Sequence, residues 1–168
     1  MGDESLPVPE HGVFLAASVS YESFECRKGY GAVHARKIAI LTSLAYGKNV
    51  DFADLYVEGI TQITRMDFAY AKKLGTTIKL FAKSQCIDGK YYAMVAPFMV
   101  TADNPLYAVQ NVFNAILVHS NMVGDTMYYG KGAGKLATAS AVVADVIDCA
   151  KHLGKHVQVI WEEDKLEI

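Results

Sequence analysis

Apolar positions along this chain change period several times, and each change marks an element. From Gly31 to Gly47 the residues Val33, Ala35, Ile38, Ala39, Ile40, Leu41, Leu44 and Ala45 fall on more than one helical face. Such a spread predicts a helix largely surrounded by protein, stopped at Gly47. After a turn led by Asp51 comes the short apolar run Leu55-Tyr56-Val57. Thr64 with Asp67 three residues later is a capping-box start for a helix over about 67–74, ended by Gly75. Residues 77–84 alternate around Ile78, Leu80 and Ala82, and residues 91–100 carry Tyr, Met, Val and Phe. Asp88-Gly89 between them predicts a hairpin. Asn104-Pro105 opens a short helical turn, and Phe113 to His119 and Thr126 to Tyr129 read as two further strands. The glycine run from Gly130 to Gly134 leads into a long helix whose Val142, Val143, Val146, Ile147, Ala150 and Leu153 keep helical spacing. Val157, Val159 and Trp161 alternate as one more strand. Residues 1–30, with Pro7, Pro9, Gly12 and Gly29 and no sustained period, read as an irregular N-terminal arm; 31–168 read as one domain. Consecutive strands joined by short turns, with helices between, predict an α+β fold: a mixed, largely antiparallel sheet with helices packed on one face.

Composition narrows what such a domain does. Of the 168 residues 52% are hydrophobic and 20% charged, which excludes a disordered chain. Sixteen Lys and Arg against eighteen Asp and Glu leave a net charge of −2, with no long basic run, so nucleic acid is not an expected partner. The apolar stretch from Gly12 to Val19 is too short to span a bilayer and follows an acidic segment, so neither membrane insertion nor secretion is expected. Three widely spaced cysteines form neither a disulfide framework nor a zinc pattern, and the cytoplasm is the expected compartment.

Two places could carry chemistry. The cluster Gly130-Lys131-Gly132-Ala133-Gly134 lies between a strand and a helix, where free N–H groups at a positive helix end can receive an anion. It is neither a P-loop nor a dinucleotide fingerprint, and its alternative role is a hinge into a tightly packed helix. Lys37 is the second, because Ile40, Leu41 and Leu44 three, four and seven residues on place its stem on an apolar stripe. Burial there would lower its pKa and suit it to proton transfer; the alternative is an ammonium that snorkels to water. His34 and Arg36 beside it read as surface residues. Glu58, Asp67 and Asp125 stand at turns, where capping explains most carboxylates. None of the five histidines has metal-ligand spacing with a second ligand, so no metal is expected.

Three segments carry a resemblance to a known family: Lys37 to Gly47 with Tyr56 to Thr64; Asn104-Pro105-Leu106 with Val112 to Ile116; and Gly124-Asp125 through Tyr129 to Gly134 and Thr138 to Asp145. Together they resemble the substrate-binding, catalytic domain of homoserine dehydrogenase. The resemblance implies NAD(P)H-dependent interconversion of L-aspartate 4-semialdehyde and L-homoserine, in threonine and methionine biosynthesis. It implies Lys37 as proton donor, at the end of a Gly-x-Asp-x-x-x-Lys motif whose first place is Gly31, and Gly134 with Gly132 against NADP or NAD. It implies a homodimer built through the sheet of this domain. Val33 stands where that motif has its substrate-binding aspartate, and the family's nucleotide-binding domain has no counterpart in these residues. The expected product is therefore a catalytic domain weakly active or inactive alone, or else a non-catalytic, homo-oligomerising module.

Overall fold

The computed structural model of the chain describes residues 12–17, 30–132, 134–158 and 160–168. Its centre is a hairpin of two twelve-residue strands, β4 (Thr76–Ile87) and β5 (Lys90–Thr101). Asp88 (φ 49°) and Gly89 (φ 73°) turn it, both in the left-handed region that a two-residue hairpin loop requires. A second hairpin, β6 (Phe113–Ser120) and β7 (Gly124–Lys131), lies to one side. Between the two hairpins runs β1 (Gly12–Ala17), antiparallel to β4 from Gly12↔Gln85 to Ala17↔Leu80 and to β6 from Gly12↔His119 to Ala17↔Asn114. The six-stranded sheet has the order β3-β5-β4-β1-β6-β7, where the two-residue β3 (Tyr56–Val57) joins β5 in parallel. β1 corrects the reading of 1–30 as an irregular arm: six of those residues form a central strand. The pairing that stabilises it is with residues 80–85 and 114–119, so no local period announces it.

Alternation along β4 gives the sheet two buried faces. Ile78, Leu80 and Ala82 pack with Ala93 and Val95 of β5 against α1 (Tyr30–Tyr46) and α2 (Arg65–Lys73). Phe81 points the other way and packs with Val100, Leu106, Val109, Ala115 and Leu117, beneath the 3-10 turn Pro105–Ala108. α2 starts with the expected capping box, Thr64 and Asp67 each satisfying the other's backbone N–H, at 2.7 Å for the Thr64 N–H donating to the Asp67 carboxylate. Those hydrogen bonds hold Asp67 below the ordinary carboxylate pKa.

α1 is not surrounded by protein. It buries one face, carrying His34, Ala35, Ile38, Ala39, Thr42 and Ser43, and leaves Val33, Ile40 and Leu44 exposed. The buried face tolerates hydroxyls because Thr42 and Ser43 donate to the carbonyls of Ile38 (2.6 Å) and Ala39 (2.9 Å), one turn back. His34, read as a surface residue, is buried; Arg36 is exposed, its guanidinium 5.3 Å from the Phe52 ring centre.

The end of the chain returns to the body. The helix α3 (Lys135–Lys151) buries no residue, so the helices that cover the sheet are α1 and α2. The last strand, β8, is Glu162–Lys165 rather than a segment at 157–161, and Val159 lies outside the described residues. It pairs in parallel with β2 (Lys48–Asn49), ties Lys165 to Asp54 at 2.7 Å and sets Leu166 into the core under α1.

Tyr46, at the end of α1, rests on Tyr91 with ring centres 4.8 Å apart, and burial pushes its phenol up to about 12. A folded-state value above the ordinary one means that the unfolded chain ionises first, so stability falls as pH rises from about 10 towards 12. Urea midpoints of the native chain should fall more steeply across that window than those of Tyr46→Phe. Parallel curves for the two proteins would show that Tyr46 is not the group responsible.

Candidate functional site

The exposed side of α1 and the β6–β7 hairpin enclose a cleft of about 780 Å³. Lys37, Ile40 and Leu41 form one wall; Asn114, Ala115 and Ile116 of β6 and the β7 residues from Met127 onward form the other, ending at Gly132. Lys37 and Gly132, remote in sequence, thus face one space. Lys37 is exposed, so the stripe it shares with Ile40 and Leu44 borders the cleft and solvent instead of the core. Spacing alone predicts that these residues share a face, not which face the sheet covers.

Gly132 occupies its place for two reasons. Its N–H donates to the carbonyl of Val112 at 2.9 Å, and a Cβ on it would overlap the Asn114 side-chain amide. Any larger residue there would force the Asn114 amide out of its place beside the turn. Gly134 lies beyond the cleft lining, immediately before α3. Its φ of +116° is one that side-chain-bearing residues rarely adopt, and its carbonyl accepts the Thr138 N–H at 3.0 Å. Ala133 is outside the described residues.

The other candidates have local partners. Tyr56 donates to Glu58 at 3.0 Å, which raises the tyrosine's pKa; Asp67 caps α2; Asp125 meets Nδ1 of His119 at 2.6 Å. Val33 is half exposed one turn before Lys37 and supplies no charge. Glu22 and Glu25, the nearest carboxylates before Lys37 in the sequence, lie outside the described residues. Among the described residues no group of three or more potential ligands could hold a metal, and no helix is long and apolar enough to cross a membrane.

A buried lysine does exist, at Lys79 and not at Lys37. Lys79 is 3% exposed and donates to the carbonyl of Val109; burial lowers its pKa, and that of Lys83 four residues on. The signal was present in the alternation of 77–84: Phe81 flanked by two lysines at period two marks a second apolar face, one that is covered here by the 3-10 turn.

The fold, a mixed sheet with helices on one face, is of the α+β class. The family model described as homoserine dehydrogenase matches residues 30–147, and the chain belongs to that family. It is 44% identical over 119 residues to a homoserine dehydrogenase of Bacillus subtilis, covering 71% of this chain and 28% of that protein. It is 42% identical over 130 residues to one of Mycobacterium tuberculosis, covering 74% and 29%. Among solved structures, a Staphylococcus aureus homoserine dehydrogenase superposes with a TM-score of 0.69 at 29% identity, over 95% of this chain and 47% of that one. One from Thiobacillus denitrificans gives 0.66 at 37%, over 78% and 30%. A hyperthermophilic archaeal homoserine dehydrogenase mutant in complex with NADPH shares the fold at a TM-score of 0.56 and 19% identity, covering 83% of this chain and 47% of that one. The chain spans under a third of the length of the curated relatives it matches.

Proposed function

We propose that residues 31–168, completed by β1, are the catalytic and dimerisation domain of an NAD(P)-dependent oxidoreductase. It interconverts L-aspartate 4-semialdehyde and L-homoserine, in threonine and methionine biosynthesis in the cytoplasm. The observation that carries this reading is the meeting of Lys37 and Gly132 across one cleft. The residues fit a flat cofactor edge: Gly132 has no side chain to hold it off, Asn114 offers an amide beside it, and Ile40, Leu41 and Ile116 give an apolar wall. Gly132 in the cleft, with Gly134 just beyond it, would hold NADP or NAD, whose reduced form would supply the hydride and whose oxidised form would accept it. Lys37 holds a proton on Nζ for the oxygen of the substrate carbonyl, as general acid in one direction and base in the other.

Homoserine-dependent reduction of NAD and NADP by the purified chain, followed by absorbance, tests the reading. Slow turnover is expected, because the curated relatives have more than twice as much chain outside the matched part. If homoserine and NADP together produce neither reduction nor any shift in the amide resonances of Gly132 and Asn114, the cleft is not the site.

One observation favours the second reading, a non-catalytic, homo-oligomerising module. α3 leaves Leu136, Val142, Val143, Val146 and Ile147 exposed although both its flanks are fastened to the body, by the Gly132 and Glu162 N–H groups. An apolar face of that size invites association. Sedimentation is expected to show a dimer, with α3 amides protected from exchange only in the dimeric fraction. A monomer with α3 fully protected would contradict this.

A further inference from the structure

The buried Lys79 does not line the cleft, yet its hydrogen bond leads there. Its Nζ donates to the carbonyl of Val109, which closes the 3-10 turn Pro105–Ala108. Leu106 and Val109 are sunk in the second core cluster, and the Asn104 side chain accepts the Leu106 N–H at 2.9 Å, so the turn has a fixed seat on the sheet. Three residues later the same segment presents the Val112 carbonyl to Gly132. Asn111 between them holds a left-handed φ of +59°, and Phe113 N–H returns to Gln110 at 3.2 Å, so little slack is left in the span.

A carbonyl aimed into an apolar face needs a donor, and the β4 ladder is committed to β5 along its whole length and to β1 from Leu80 to Gln85. Lys79 reaches it from the strand interior with a stem that packs among apolar neighbours and an ammonium that finds an acceptor. A shorter or apolar residue would leave the Val109 carbonyl buried and unpaired, and the turn would have to tilt towards water to recover a partner. Tilting the turn moves Val112, and with it the anchor of Gly132.

We propose that Lys79 is a positioning residue that sets the place of Gly132 in the cleft through the segment 109–112. That the positioned glycine serves a cofactor rests on the function proposed above; the mechanical link does not.

Amide hydrogen exchange by NMR on the full chain tests the link, comparing native protein with Lys79→Met, which keeps the stem and loses the donor. Gly132 is expected to exchange about tenfold faster in the variant, beyond any uniform change shared by Ala82 and Val95 in the central hairpin. A change at Gly132 equal to that at Ala82 and Val95 would overturn the proposal, since a merely structural lysine lowers all amides together. Should Lys79→Met fail to fold, the native chain answers alone. Val109 and Gly132 amides should report one shared opening as denaturant is raised in the native range; separate openings would overturn it. Titration with NADP separates the two layers. No shift at Gly132 in the native chain counts against the cofactor site, whereas the exchange result needs no ligand.

Discussion

Replacing Lys37 with alanine is expected to lower homoserine-dependent reduction of NAD or NADP by about 10²–10⁴-fold, the usual contribution of a positioned proton donor. Lys37 is exposed at the cleft wall and is not part of either core cluster. Its removal should therefore leave urea stability within about 0.5 kcal/mol of the native value. The pairing of the two results matters more than either alone. Loss of turnover with unchanged stability assigns the proton to Lys37; equal turnover in the variant would remove Lys37 from the chemistry even if the cleft still bound ligand.

The next residue along should behave in the opposite way. Ile38 is fully buried, set among Leu80, Val95 and Ile60 where α1 lies on the central hairpin. Ile38→Ala removes its buried side-chain carbons at the centre of that contact, and the rigid strands around it leave little room to collapse. A loss of about 2–5 kcal/mol is expected, out of a total of about 5–15 kcal/mol for a domain of this kind. Urea unfolding reads it directly. A loss under about 1 kcal/mol, at the level of a surface change, would mean that α1 is not docked through this face.

Adjacent residues of one helix thus lie one at a cleft and one in the core, and this division was the least legible part of the chain. α1 carries apolar residues on both sides: one set meets the sheet, the other lines a cleft. Periodicity registers both as hydrophobic and assigns neither. His34, Thr42 and Ser43 add to the ambiguity, since they are polar by type and yet lie on the buried side, where backbone carbonyls one turn back satisfy the hydroxyls of Thr42 and Ser43. Of the two readings of Lys37, buried or snorkelling to water, the exposed one holds, and the desolvated lysine is Lys79, on a strand, because desolvation depends on the 3-10 turn that folds over β4 from thirty residues away.

Elements held by local chemistry could be read from the residues alone. The capping box at Thr64 and Asp67, the Asp88-Gly89 hairpin, the Asn104-Pro105 turn and the glycine start of α3 each need only neighbours within a few positions. From these, with the three motif segments, the α+β class and the homoserine dehydrogenase family follow. Tertiary structure alone decided that Gly12–Ala17 is a central strand, that β8 runs beside β2 at Glu162–Lys165, and that Lys37 and Gly132 share a cleft. The reason is physical: a turn or a cap is stabilised by groups the chain brings close at once, whereas a strand's partners and a side chain's burial depend on contacts that exist only after distant segments have met.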